Sequence, residues 1–360
     1  MSEAWLRLIR LIILSFDWNV RIEVGLEESL VKTIKIHFVG FWESLDFENN
    51  IFTALLKRRY HVVFDDKNPD FLFCSALGKP FDYMQYDCPR IMYTGEFLSA
   101  NFNTVDYFIG YDDISFGDRA LRFPLFLMDK LGDDTSNRII TEDEAKAILD
   151  SKEYFCNYIF GHDTELGIRE KILEGLSAYK RVECAGRHRN NMPNGEVFQM
   201  NTKMPFMKKC KFSIAAESVR YPGFTSEKIG HAFDALSIPV YFGDPDVGKD
   251  FNQNAFVDYN QYLNVDDMVK RVIEIDQNDD LYIHMLCMSR YNQLGYEEMM
   301  FKKLADFLYH ICDQDKEEAY RRPRFYCAGR HEMFLKHYCD LYNAGPFLKI
   351  DWRRRYQKRK

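Results

Sequence analysis

Glu217, Glu227 and Lys228 fall within one short stretch, residues 212–229, whose side chains suit a phosphorylated ligand that also carries hydroxyls. Residues 212–216 form an apolar run that reads as a buried strand ending at the Glu217 carboxylate. A turn with Pro222 and Gly223 follows, and Thr225 and Ser226 then cap a helix. Ile229, Ala232, Phe233 and Leu236 give that helix one apolar face. A helix N-terminus directs unpaired backbone N–H groups at an anion. Lys228 adds a cation for a diphosphate and for charge growing on a leaving group. An ionised Glu227 only accepts hydrogen bonds, so it suits a pair of ribose hydroxyls, and it also complements the helix dipole. Taken alone, Lys228 is an ordinary solvated lysine; its neighbours favour the ligand role.

Other residues cluster where strands are expected to end. Arg169 follows a loop at 161–168, just past a predicted strand, the edge at which open α/β sheets bind ligands. It reads as a bidentate phosphate clamp or as an exposed helix residue. Asn190 and Asn191 lie in a polar loop after a strand ending at Cys184. They read as ligand hydrogen-bonders or as a simple turn. Glu96 closes the segment 93–96 after another buried run, and partial burial there would make its carboxyl a general base for a hydroxyl. Trp42 and Glu43 follow the first strand and would face the same cleft, Trp42 as a sugar platform or as a rim aromatic. No His or Cys spacing has a metal-site pattern, and Asp244 to Asp246 reads as a strand exit and cap rather than a metal-binding D-x-D.

These groups need a scaffold. Residues 35–39, 61–64, 71–74, 90–93 and 105–110 read as strands, with a helix over 49–59. A polar stretch at 129–144 interrupts them, and alternation resumes with strands at 154–160, 181–184, 212–216 and 239–242 and helices over 164–179 and from 226. The predicted class is α/β, two Rossmann-like halves around a cleft: an extension at 1–33, a first domain at 34–150, a second at 151–325, and a helical segment with a basic tail at 326–360. With 360 residues the chain can fill two cores. A net charge of −7 speaks against a general nucleic-acid partner. Nine scattered cysteines point to reduced thiols and a cytoplasmic setting. The run at 5–14 is broken by Arg7 and Arg10 and is too short to span a bilayer; it reads as an extension or a surface-lying amphipathic helix. Residues 352–360 carry six basic side chains beside Trp352 and Tyr356. That tail is either solvated or a peripheral anchor to the inner, anionic face of a bacterial membrane.

Laid out in order, these residues resemble the α-1,3/4-fucosyltransferases, the family of the Lewis-antigen enzymes, and among them the bacterial members. The family's donor signature is matched by Ala216, Glu217 and Ser218, by residues 224–228, and by residues 238–243; residues 249–257 continue it. Upstream, residues 93–96, Asn101, Phe102, Asp106 and Tyr107 resemble the acceptor-side segment. The resemblance covers most of residues 34–310.

It implies a GT-B architecture and inverting transfer of L-fucose from GDP-fucose to an oligosaccharide acceptor, the 3-OH of an N-acetylglucosamine unit. It implies Glu96 as base, Arg169 and Lys228 as diphosphate contacts, Glu227 as ribose contact, and Glu217 as a donor-site carboxylate that offsets positive charge in the transition state. Ser218, Tyr221, Phe224 and Asn191 complete the expected donor site; Trp42 and Glu43 are the acceptor-side expectation. No cofactor is required, with divalent-metal stimulation allowed. The chain departs from the family where Phe224 replaces Tyr, Ser218 replaces Asn and Ala216 replaces Phe, with Tyr221 a possible source of the missing hydroxyl. The stem and membrane anchor of animal members are expected to be absent. Two alternatives stay open: a GT-B transferase with another nucleotide sugar, and a binding protein that has lost catalysis.

Overall fold

Every strand-to-strand pairing in the two sheets is parallel. The structure is a computed structural model that describes residues 31–344, apart from 80, 129, 132–138 and 165–166. The expectations for the run at 5–14, for the tail at 352–360 and for part of the polar stretch lie outside the described residues.

The first sheet has the order β2-β1-β3-β4-β5-β6. Its strands are β1 (Thr33–Val39), β2 (His61–Phe64), β3 (Phe71–Cys74), β4 (Arg90–Tyr93), β5 (Tyr107–Gly110) and β6 (Ala120–Arg122). The second has the order β11-β10-β9-β7-β8. It comprises β7 (Tyr154–Tyr158), β8 (Val182–Cys184), β9 (Cys210–Ala216), β10 (Ile238–Phe242) and β11 (Val257–Asp258). In β3, β4, β5 and β10 every residue is buried. Parallel sheets have both faces covered, so their strands are continuous apolar runs rather than alternating ones. Both sheets are doubly wound, with the strand order reversing between β1 and β3 and between β7 and β9. A ligand crevice is expected at each reversal, beyond the carboxyl ends of the strands.

Helix α1 (Ile51–Lys57) begins where Asn50 Oδ1 accepts the Thr53 N–H at 3.0 Å, and it sets Phe52, Leu55 and Leu56 on the first sheet. Around the second sheet lie α2 (Glu142–Asp150), α3 (Ile168–Ser177), α4 (Met200–Met207), α5 (Glu227–Asp234), α6 (Val265–Asp276) and α7 (Asp279–Cys287). Next come α8 (Tyr296–Asp313), α9 (Lys316–Ala319) and α10 (Tyr326–Ala344).

The expected domain limits need correction at both ends. Helix α2, placed in the first domain by its sequence position, buries Ala145 in the second core. Helix α8, placed in the second, packs Met300, Leu304, Leu308 and Ile311 into the first core beside α1. The chain thus crosses between domains twice. Half-buried Asp234, at the end of α5, holds both crossings: it pairs with Lys130 on the outward one and, at 2.7 Å, with Arg290 on the return. A second lock closes the C-terminal segment onto the first domain. Fully buried Asp106 accepts the backbone N–H groups of Arg90, Arg321 and Arg322, each at 2.8 Å, and pairs with the Arg322 guanidinium. No described helix is long and apolar enough to cross a membrane.

Candidate active site

The carboxyl end of β9 places Glu217 at the mouth of the second sheet, where its backbone N–H donates to Phe242 O at 2.7 Å. The side chain is wholly buried. Its Oε1 accepts the Ser226 N–H and the Ser226 hydroxyl, both at 2.8 Å. Its Oε2 lies 2.8 Å from the same hydroxyl and takes Lys228 Nζ at 3.1 Å. Ser226 stands at the N-cap of α5, yet its hydroxyl turns to Glu217 instead of bonding into the helix. The capping role expected of it therefore passes to the Glu217 carboxylate. With no solvent-exposed atom, the Glu217 carboxylate makes its contacts through Ser226 and Lys228.

Lys228 is three-quarters buried; its Nζ lies 2.8 Å from Ser226 Oγ and 3.7 Å from Glu227 Oε1. Burial alone would push its ammonium down, but Glu217 and Glu227 together hold it above the ordinary lysine range. Burial likewise pushes Glu227 up, and Lys228, its own N–H, Lys203 and His231 outweigh that and hold the carboxyl low. Lys203 on α4 and His231, one turn after Glu227, close the group, with Nζ and Nδ1 3.2 Å apart. Burial, assisted by the Lys203 charge, pushes His231 down to about 4. The outcome is an ionised cluster centred on the first turn of α5.

Arg169 lies at the strand reversal between β7 and β9. Its Nε and one terminal nitrogen donate to Ala216 O at 3.1 and 3.0 Å, the other to His162 O at 2.9 Å, and the guanidinium lies over the Phe160 ring. It is buried, not an exposed helix residue. It ties the loop after β7 to the end of β9 and places a positive charge beneath the site.

Asp244 carries a role that its reading as a strand exit missed. It is buried, accepts the Gly223 N–H at 2.8 Å and the Thr225 hydroxyl at 3.1 Å, and so shapes the loop entering α5. Gly223 has φ +82°, and a Cβ there would lie 2.7 Å from Tyr111 O of the first domain. The two domains meet at this point. Phe97 packs edge-on to Tyr221 at 5.0 Å and to Phe224 at 5.5 Å, and Tyr111 meets Phe224 at 5.1 Å. Glu96 adjoins Phe97, so this aromatic knot fixes the Glu96 loop to the loop that precedes Lys228. The Glu96 backbone N–H donates to Thr94 Oγ1 at 3.0 Å.

Several expectations are corrected. Glu96 is exposed, not partly buried, because it lies in the bend that follows β4. Asn191 stands apart from the cluster: its amide accepts Cys184 N–H and donates to Val182 O, both at 2.8 Å, filling the open edge of β8 in place of a further strand. Phe224 is buried in the knot, whereas Tyr221 is 40 % exposed, and Ser218 is exposed at the strand end. Trp42 packs edge-on to Phe41 against the first core, and Glu43 is exposed. Among sequence signals, only the i, i+4 spacing of Glu227 and His231 pointed to the missed members. Lys203 and Asp244 reach the site from other elements. Among the described residues, no group of three or more His, Cys, Asp or Glu is placed to hold a metal ion.

Comparison with known proteins places the chain by sequence and fold. Residues 36–129 match the model of the α-(1,3)-fucosyltransferase FucT N-terminal domain, and residues 149–324 match that of the glycosyltransferase family 10 (fucosyltransferase) C-terminal region. The chain is 27 % identical over 322 residues to the α-(1,3)-fucosyltransferase FucT of Helicobacter pylori, an alignment covering 78 % of this chain and 66 % of that protein. It thus spans just under two thirds of that relative's length. A crystal structure of an α1,3-fucosyltransferase superposes with a TM-score of 0.67 at 26 % identity, covering 81 % of this chain and 93 % of that one. One solved with GDP-fucose shares the fold, with a TM-score of 0.66 at 23 % identity, over 83 % of this chain and 95 % of that one. The two doubly wound domains are those of the GT-B architecture.

Proposed function

Since the chain belongs to the family 10 fucosyltransferases, we propose that it transfers L-fucose from GDP-fucose to a hydroxyl of an N-acetylglucosamine-containing glycan, with inversion. One observation carries this reading: a lysine is held by a buried carboxylate at a helix N-terminus, and the loop bearing Glu96 is clasped to that same motif. The diphosphate lies at the first turn of α5, against Lys228 and the backbone N–H groups. Glu227 takes the ribose hydroxyls. Glu96 removes the proton from the acceptor hydroxyl. Its oxygen forms the new bond to the anomeric carbon as the bond to the phosphate oxygen breaks, and that electron pair leaves with GDP. Lys228 and the helix N-terminus meet the charge that grows there; Arg169 supports it from below.

Exposed Glu96 suits this role, since an open carboxylate is reachable by a hydroxyl. The acceptor class we propose is a lipopolysaccharide glycan of the Lewis type. The setting we propose is the cytoplasm, at the inner membrane face. Helix α10 exposes Phe334, Tyr338 and Leu341 at i, i+4 and i+7 and leads toward the basic tail, a combination suited to an anionic lipid surface.

The test is direct. The purified chain is incubated with N-acetyllactosamine and GDP-fucose, GDP-mannose or UDP-sugars, and products are weighed by mass spectrometry. Only GDP-fucose is expected to yield a product. Glu96→Gln is expected to cut turnover by about 10²–10⁴, the usual worth of a general base, while GDP still binds in calorimetry. A variant that keeps wild-type turnover removes Glu96 from the reaction, and turnover with a UDP-sugar replaces the donor.

A further inference from the structure

Asp112, two residues past β5, is only 7 % exposed, and its Oδ2 has no hydrogen-bond partner. It lines a cavity of about 230 Å³ between the two domains. Asp112, Asp113, Ile114 and Arg122 form the first-domain wall; Tyr221, Gly223, Asp246 and Lys249 form the other. The remaining charges in this wall are matched or open to solvent, Asp113 being exposed and 3.9 Å from Lys249. Both terminal nitrogens of Arg122 bond Asp250, at 2.9 and 2.5 Å, and Lys249 lies 3.1 Å from Asp246. Asp112 is thus the buried charge in this wall with an unmatched oxygen.

That pattern selects a ligand class. A carboxylate only accepts, so the occupant must bring O–H or N–H donors. The cations are committed to carboxylates, which disfavours a phosphate or another anion. Half-exposed Tyr221 offers an aromatic ring to an apolar C–H face. The volume falls below the roughly 300–1,000 Å³ of clefts that enclose drug-sized molecules, so it suits a single ring. A neutral pyranose meets all of these conditions. Tyr221 packs against Phe97, the neighbour of Glu96, so a ring seated on Tyr221 lies beside the loop that carries the base.

On the fucosyltransferase reading, which this inference presupposes, we propose that the cavity is the acceptor subsite. There Asp112 accepts hydrogen bonds from hydroxyls of the acceptor pyranose and turns the reactive one toward Glu96. The fucosyl group is not the occupant, because its diphosphate is held at the start of α5, by Glu227 and Lys228, which do not line this cavity.

Asp112→Asn keeps the shape and removes the charge. Acceptor KM for N-acetyllactosamine is expected to rise at least about tenfold, the loss of one charged hydrogen bond. GDP-fucose affinity in calorimetry and the melting temperature should stay at wild-type values. Saturation-transfer NMR of N-acetyllactosamine on the GDP-bound variant should show the same loss without turnover, so the result does not depend on catalysis. An unchanged acceptor KM with unchanged NMR contact overturns the subsite, as does donor affinity falling in step with acceptor affinity. Wild-type turnover of GDP-fucose tests the family reading separately, so an active wild type with an indifferent variant refutes the subsite alone.

Discussion

Replacing Lys228 by Met keeps most of the side-chain stem and deletes the ammonium that the donor site is built around. Two effects follow, and the structure separates them. The first is on stability. Glu217 is wholly buried and loses its cation, a situation that costs about 3–5 kcal/mol when both partners are dry. Here Lys228 is a quarter exposed, and Glu217 keeps the Ser226 N–H and hydroxyl at 2.8 Å. We therefore expect the lower figure of about 1–3 kcal/mol. The second effect is on the diphosphate. One charge-assisted hydrogen bond to phosphate contributes about 1.5–3 kcal/mol, so GDP affinity should fall roughly 10- to 150-fold. Turnover should fall further, because charge on the leaving oxygen is greater in the transition state than in the bound donor. Calorimetry with GDP at low and high salt, beside a thermal melt, distinguishes the two, since the coulombic share of binding shrinks with ionic strength. Lys228→Arg should recover most of the affinity. If Lys228→Met melts earlier yet binds GDP as wild type does, Lys228 is merely the counter-ion of Glu217 and the donor site lies elsewhere.

Three further outcomes follow from particular contacts. His231 is pushed down to about 4 in the folded protein against an ordinary value near 6.5. The unfolded chain therefore takes up the proton first as pH falls, and stability present above about pH 6.5 drains away toward pH 4. Between pH 7.5 and 5 the loss should be about 2 kcal/mol, and urea melts of His231→Gln should lack that slope; parallel profiles would exclude His231 as the cause. Asp234→Asn removes the carboxylate that Lys130 and Arg290 share and should cost about 1–3 kcal/mol, and an unchanged calorimetric transition would mean the crossings are held by other contacts. Deleting residues 352–360 should abolish co-sedimentation with phosphatidylserine vesicles, since each of six basic residues contributes about 1 kcal/mol there; equal partition of the shortened chain would dismiss the tail as an anchor.

How much of this was legible depended on whether the signal was local. Strands β3 and β4 were read with the limits the structure gives them, because a strand buried on both faces leaves a continuous apolar run. Strands β6 and β11 have three and two residues, too few for any period to register. The spacing of Met300, Leu304, Leu308 and Ile311 reveals a helix, but nothing in it says that the helix packs on the first sheet after the chain has left it. The donor motif was legible since Glu217, Glu227 and Lys228 lie within twelve residues of one another. Lys203, Asp244 and Asp112 were not, because each matters only for what a distant element brings against it. Asn191 misled for the converse reason: an amide suited to a ligand is equally suited to closing the edge of a strand.

The position of Glu217 explains why a buried charge is tolerated at all. A cation at a helix N-terminus opposes the positive end of the helix dipole, so Lys228 alone would lean away from α5 into solvent. Glu217 stands behind it at the end of β9 and holds the ammonium against that field, while its other oxygen holds Ser226 N–H at the helix start. The following N–H groups of the first turn and the ammonium are then kept together on one side, ready for an anion before it arrives. Little reorganisation is left for the moment at which charge passes to the leaving phosphate, the condition under which fixed dipoles act most strongly. The cost of burying the pair falls on the folding of β9 and α5, away from the surface that meets the substrate. This arrangement also accounts for the placing of the aromatic knot. It joins the Glu96 loop to the loop that enters α5, so the first domain is registered against the same helix turn that carries the cation.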